Sequence, residues 1–250
     1  MALVIAIPSY KRHLNLKTLA YLKKEQIPIE FITIFVANET ELELYKAEYP
    51  KYTFVVGEIG IKNQRNFISK YYDDGIFVIS MDDDIIDLVS FTNKPFLIWA
   101  KECIKYMEDH NLGLLGINPT TNLYWVQNSK APEFQKGRYL SVGVFHIYKN
   151  YKDENLTINC IEDYERSIIS LRKYGSVARY NGVGLKTKYW AAGGLRDERT
   201  IELYKSQVYK FFEIYPTEVK ITMKKISQLS KIELLPNIVI IKKVKNEKKD

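Results

Sequence analysis

Three consecutive carboxylates, Asp82-Asp83-Asp84, directly follow the apolar run Ile76-Phe77-Val78-Ile79-Ser80-Met81. A run rich in β-branched and aromatic residues reads as a buried strand. Acids at its end put like charges where a fold otherwise avoids them. Two unit charges about 5 Å apart repel by roughly 1 kcal/mol in water and roughly 3 kcal/mol at an intermediate dielectric. A divalent cation is the simplest compensation. Carboxylate oxygens without His or Cys suit Mg2+ or Mn2+, and one or two such ligands leave positions open for phosphate oxygens. In an extended chain Asp82 and Asp84 share one face and Asp83 takes the other. The plainer reading is an acidic turn, or a helix cap at Asp84 ahead of Ile85-Ile86-Asp87-Leu88.

Three further groups could do chemistry. Glu162-Asp163-Tyr164-Glu165 opens a helix-compatible stretch. Acids there favour the helix dipole, or one of them, preferably Asp163, is a general base. Lys62-Asn63-Gln64-Arg65-Asn66 follows Gly60; Arg65 could pair with phosphate or with an acid in a bidentate way, or form an ordinary salt bridge. Trp190-Ala191-Ala192-Gly193-Gly194-Leu195-Arg196 could be a pliable loop beside an acceptor, or a plain turn. Gly57 and Gly60 do not make a dinucleotide fingerprint, and no phosphate-binding GxxxxGK[ST] occurs. His146, alone in a strand, reads as a core or rim residue.

The elements that must position these groups alternate. Leu3–Ile7 reads as a strand stopped by Pro8, and Leu14–Lys24 as a helix. Phe31–Val36 is a second strand ending at Ala37-Asn38-Glu39, and residues 40–48 are a helix. Tyr52–Val56, a helix over Lys62–Tyr72 and the strand at 76–81 complete a βαβαβαβ series. That rhythm predicts an α/β class, a Rossmann-like single domain with a mostly parallel central sheet flanked by helices. Ligands bind at the carboxyl edge of such sheets. That edge gathers Pro8-Ser9-Tyr10, Asn38-Glu39, Gly57–Gly60 and the three acids.

Downstream, Pro95–His110 suits a helix and Leu112–Ile117 a strand. Residues 118–138 read as loop with a hairpin around Leu123–Val126, and Tyr139–Tyr148 as a strand. Ile161–Tyr174 is a helix, Val177–Tyr180 a strand, 181–200 a polar loop, Glu202–Phe212 a helix, and Ile238–Ile241 a last apolar segment. No linker divides the chain. The expected organisation is one domain: a donor half over 1–118, an acceptor half over 119–215, and an extension with a basic tail over 216–250.

The 250 residues suffice for a sizeable core. A net charge of +7 permits polyanionic partners, although Lys242, Lys243, Lys245, Lys248 and Lys249 concentrate it in a solvated tail. Cys103 and Cys160 stand in no metal spacing and suit a reducing compartment. No secretory signal or transmembrane segment is visible, so the expected location is cytoplasmic.

Taken together, Ala6-Ile7-Pro8-Ser9-Tyr10-Lys11, Val36-Ala37-Asn38-Glu39, Gly60-Ile61-Lys62-Asn63-Gln64-Arg65-Asn66, Ser80–Asp84 and Glu162-Asp163 resemble a GT-A-type glycosyltransferase over roughly residues 3–200. The pattern is similar to the viral and phage TET-associated glycosyltransferases and to chlorovirus capsid glycosyltransferases. The resemblance implies a metal-dependent, inverting transfer of a sugar from a nucleotide-sugar donor, UDP-sugars first, with Mn2+ or Mg2+. It implies that Pro8, Ser9 and Tyr10 line a nucleobase pocket and that Asn38 and Glu39 lie near base or ribose. Arg12, Gly60, Gln64, Arg65, Asp82 and Asp83 complete the donor side. Asp84, with Asp82, holds the metal, Asp163 with Glu162 is catalytic, and Trp190, Gly193 and Gly194 form the acceptor loop. The implied acceptor is a 5-hydroxymethylpyrimidine in modified DNA, otherwise a glycan or glycoprotein. One departure stands out: relatives supply a late His to the metal, and no His follows His146 here. Outside this class, a non-catalytic carbohydrate- or nucleic-acid-binding module on the same scaffold and a nucleotidyltransferase remain open.

Overall fold

The computed structural model describes residues 3–122, 132–137, 143–187, 200–225 and 234–240. Its first third is the expected alternation: β1 (Leu3–Pro8), α1 (Lys17–Lys24), β2 (Ile32–Val36), α2 (Glu39–Glu48), β3 (Thr53–Val56), α3 (Ile61–Tyr71) and β4 (Phe77–Met81). There follow β5 (Ile85–Ser90), α4 (Phe96–Asp109), β6 (Leu114–Asn118), β7 (Phe134–Gly137), β8 (Phe145–Lys149), α5 (Glu162–Tyr174), β9 (Val177–Thr187), α6 (Ile201–Ile214), β10 (Val219–Lys225) and β11 (Leu234–Ile240).

One sheet carries nine of these strands in the order β3-β2-β1-β4-β8-β6-β9-β5, with β7 also on β9. β1, β2, β3, β4, β6 and β9 run one way, while β5, β7 and β8 run against them. The sheet is therefore mostly parallel, and β7, β8 and β9 continue it beyond residue 118. Every residue of β4 is buried, as a central strand covered on both faces requires. Ile5, Ile7, Ile34, Ile79 and Met81 pack with Leu19, Leu22, Tyr45, Trp99 and Met107 of the helices on one face. Ala6, Phe35 and Val78, one position out of step, pack with Ile68 and Tyr72 on the other. A third cluster joins Ile161, just before α5, and Ile168 of α5 with Val208 and Phe211 of α6, Val219 of β10 and Ile238 of β11. α6, β10 and β11 thus close on the helix that begins with Glu162.

Several elements differ from the sequence reading. Ile85–Ser90 is a strand, antiparallel to β9, rather than the start of a helix. β9 continues to Thr187 through residues assigned to a loop, and β7 lies within the stretch read as loop. β10 pairs with β11 as a separate ribbon. Polar residues at alternate positions, as in Val219-Lys220-Ile221-Thr222, make such edge strands less apolar than buried ones. The hairpin expected around Leu123–Val126 and most of the segment 188–200 lie outside the described residues.

Candidate active site

β4 runs out at Met81, and the three acids form the turn that leads into β5. The Asp82 N–H donates to the Val144 carbonyl at 2.9 Å. Thr18 of α1 pins the rest of the turn. Its hydroxyl donates to the Asp82 carbonyl and accepts the Ile85 N–H at 3.1 Å, and its N–H donates to the Asp83 carbonyl at 3.3 Å. Because the chain turns, the strand alternation is lost. Asp83 and Asp84 share Arg12, at 3.3 Å from Nε and 3.2 Å from Nη1, whereas Asp82 meets Arg65 Nη2 at 3.2 Å. Two guanidinium groups therefore offset the repulsion among the acids. The Thr187 hydroxyl, at the end of β9, donates to Asp84 Oδ1 at 3.3 Å. Asp83 is buried. Burial pushes its carboxyl up to about 7, against the lowering effects of Arg12 and Ser9.

The loop after β1 is fixed from below by α2. Ser9 Oγ donates to Asp83 Oδ2 at 2.7 Å and lies 2.6 Å from the Tyr45 hydroxyl, which itself accepts the Arg12 N–H at 3.0 Å. The Lys11 N–H donates to Glu41 Oε2 at 2.7 Å, which holds Lys11 in a left-handed conformation at φ 55°. Tyr10 is half-buried, with Lys11 Nζ 4.7 Å from its ring centroid. Pro8 ends β1 beside Phe35. Asn38 Oδ1 accepts the Glu41 N–H at 2.9 Å and so caps α2, while Glu39 is exposed in the first turn. Gly60, at φ 90°, precedes α3 in a conformation that favours glycine. Gln64 is buried and spans two strand ends: Oε1 accepts the Glu58 N–H at 2.7 Å and Nε2 donates to the Val36 carbonyl at 3.1 Å. Asn38 and Gln64 thus tie the strand ends at the carboxyl edge together with their side chains.

Arg65 is 3% exposed and joins the acid turn to the start of α5. Besides Asp82 it meets Glu162 Oε1 at 3.2 Å through Nε and lies 3.5 Å from His146 Nε2 through Nη1. Nη2 also donates to the Gly143 carbonyl at 2.8 Å, and the Gly143 N–H donates to Asp163 Oδ2 at 3.1 Å. A Cβ on Gly143 would sit 3.1 Å from the Asp163 carboxylate, so glycine suits this close approach. Glu162 and Asp163 lie in the first turn of α5, and Glu162 Oε2 is buried without a hydrogen-bond partner among the described residues. Burial raises the Asp163 carboxyl above the usual carboxylate range, the charge of Glu162 raises it further, and Arg65 pulls it back. Trp190, Gly193 and Gly194 lie outside the described residues.

Thr18, Glu41, Tyr45, Gly143 and Thr187 were not among the residues singled out in the sequence. A Thr between Leu16 and Leu19 on an amphipathic helix, and Glu41 with Tyr45 one turn apart on α2, are the signals that could have found three of them. Nothing in the sequence marked Gly143.

Among the described residues, no group of three or more His, Cys, Asp and Glu side chains is arranged to hold a metal. Asp82 and Asp84 turn to different arginines. The chemistry at Asp84 nevertheless fits a hard cation: a partly exposed carboxylate beside the Thr187 oxygen, with no thiol or imidazole among the contacts above. Phosphate and water oxygens would complete its shell.

The family model of the TET-associated glycosyltransferases matches residues 3–109. Among solved structures, glucosyl-3-phosphoglycerate synthase from Mycobacterium tuberculosis, in complex with Mn2+ and UDP-glucose, superposes with a TM-score of 0.55 at 8% identity, covering 96% of this chain and 86% of that one. The mannosyltransferase PcManGT from Pyrobaculum calidifontis, in complex with GDP-Man and Mn2+, gives 0.52 at 11% identity, covering 84% and 64%. No curated protein matches. At these identities the structures speak for the fold. The family match and the fold support a glycosyltransferase function: the chain has a GT-A-type fold and, over residues 3–109, resembles the TET-associated glycosyltransferases.

Proposed function

We propose that the chain is a nucleotide-sugar-dependent glycosyltransferase that moves a sugar to a hydroxyl by a single inverting displacement. The observation that carries this reading is the Arg65 bridge, which joins the acid turn at the end of β4 to the Glu162-Asp163 pair at the start of α5. A diphosphate donor needs charge control on one side, and an acceptor hydroxyl needs a base on the other.

In this mechanism the nucleobase lies against Pro8, Ser9 and Tyr10, with the ribose toward Asn38, Glu39 and the acid turn. Arg12 and Arg65 supply positive charge for the diphosphate. Mn2+ or Mg2+ held at Asp84, with Asp82 beside it, would stabilise negative charge on the departing nucleoside diphosphate. Asp163 takes the acceptor hydroxyl proton while that oxygen bonds to the anomeric carbon and the bond from that carbon to the diphosphate oxygen breaks. The raised Asp163 carboxyl suits a base that works near neutrality. The donor half spans 1–118 and the acceptor half 119–215, with Trp190, Gly193 and Gly194 on the acceptor side.

For the acceptor we infer a 5-hydroxymethylpyrimidine in DNA, on the family resemblance and the net charge of +7. A duplex would have to expose that group, for instance by base flipping. The test is a screen of UDP- and GDP-sugars with Mn2+ against DNA bearing 5-hydroxymethylcytosine or 5-hydroxymethyluracil, read by mass spectrometry of the nucleosides. A sugar adduct on the modified base is expected. Donor turnover without DNA modification redirects the acceptor to a glycan or protein. No metal-stimulated release of nucleoside diphosphate from any donor overturns the enzyme.

A further inference from the structure

The cation that three clustered acids call for is already present in the chain. Arg12 meets Asp83 through Nε at 3.3 Å and Asp84 through Nη1 at 3.2 Å, and its side chain is only 10% exposed. The guanidinium is therefore largely desolvated and ion-paired with both carboxylates, and an ion pair taken out of water is little screened. Its backbone is held as firmly. The Arg12 N–H donates to Tyr45, the preceding Lys11 is pinned to Glu41, and Ser9 ties the loop to Asp83. Asp84 is also the first acid that a divalent cation would use, whereas Asp82 pairs with Arg65.

We propose that Arg12 is a built-in counter-ion that competes with the divalent cation for Asp84 and so makes cation binding depend on the nucleotide. A cation arriving alone must separate Asp84 from Arg12 and leave a buried guanidinium with one carboxylate fewer. When a diphosphate arrives with it, the phosphate oxygens offer Arg12 a replacement partner, because guanidinium pairs with phosphate as well as with carboxylate. Cation and nucleoside diphosphate should then bind cooperatively, each poorly alone. This inference rests on the reading of the acid turn as part of a nucleotide-sugar site.

The experiment measures Mn2+ binding by titration calorimetry and by the paramagnetic resonance signal of free Mn2+. Mn2+ is titrated alone, with UDP and with GDP, against the wild-type chain, Arg12→Gln and Arg12→Lys. For the wild type, Mn2+ is expected to bind at least about tenfold more tightly with the preferred nucleotide than without it, the scale of one charge-assisted hydrogen bond. Arg12→Gln should bind Mn2+ alone about tenfold more tightly than wild type and lose most of the nucleotide's effect. Arg12→Lys, which keeps the charge without the fork, should fall between. In metal-free buffer Arg12→Gln should melt below the wild type and recover more of its melting temperature on adding Mn2+. Mn2+ affinity that is unchanged or weaker in a folded Arg12→Gln overturns the competition while the donor reading stands. Should the wild type bind Mn2+ with neither nucleotide, both readings fall.

Discussion

The acid turn and the Glu162-Asp163 pair are both carboxylate clusters under the influence of an arginine, yet they are built differently. The acids at 82–84 are held by side chains arriving from separate elements: Ser9 and Arg12 from the loop after β1, Thr187 from β9, Arg65 from α3. Asp163 instead takes a hydrogen bond from the Gly143 backbone, and Arg65 reaches it through the other end of that residue. Partners on side chains can be exchanged for a cation or a phosphate. A backbone contact keeps a carboxyl in place while its proton comes and goes. The first design suits binding and the second suits proton transfer.

The strongest way to break the comparison is Asp163→Asn. We expect turnover to fall by about 10²–10⁴-fold, the usual contribution of a general base, with calorimetric binding of UDP and Mn2+ unchanged. Lost binding with spared turnover would assign Asp163 to the wrong side. Next comes Arg65→Met, which leaves Asp82 and buried Glu162 without their shared cation. Removing one partner of a buried pair costs about 3–5 kcal/mol, to be read from urea unfolding. A loss below 1 kcal/mol would mean that the two clusters do not depend on one bridge.

A smaller effect is expected from Tyr45→Phe, which removes the hydroxyl between Ser9 and the Arg12 N–H. It should cost about 1 kcal/mol of stability and weaken donor binding without changing the pH profile of turnover. The finest test is that profile itself. Asp163 must be deprotonated to accept a proton, and burial raises its pKa, so turnover should rise with pH along a limb above the ordinary carboxylate range. Glu162→Gln removes a charge that raises Asp163 and should move the limb toward lower pH. A limb that stays in place would separate the two acids.

Much of the fold around the acid turn was legible because strong patterns agreed. Apolar runs closed by Pro8, by Asn38 and by the acids marked strand ends, and parallel topology then brought those ends to one edge. The facing of Asp82, Asp83 and Asp84 was not legible, because a turn replaces the period of two with whatever its partners impose. Strand β5 was hidden for the same reason: it begins at the residue after the turn, where a cap and a strand start look alike. Asn38 and Gln64 stood out as polar residues at a ligand edge, but such an edge also needs polar side chains to satisfy its own backbone, and both do so here. Gly143 became visible only once Arg65 and Asp163 were brought to its two sides.

Glu165 lies one turn beyond the Glu162-Asp163 pair and is completely buried. Its carboxylate accepts the Thr157 and Ile158 N–H groups, the Thr157 hydroxyl and the Tyr215 hydroxyl, the last from 50 residues away. This gives the molecule an order of assembly. During synthesis the amino-terminal strands emerge first, and among the described residues the side-chain partners of the acid turn named above extend as far as Thr187. The anchor of the helix that carries Asp163 is complete only when Tyr215 has left the ribosome. A chain truncated before Tyr215 would therefore keep Ser9, Arg12, Arg65 and Thr187 at the acid turn while Glu165, and with it the helix that carries Asp163, lacks part of its anchor.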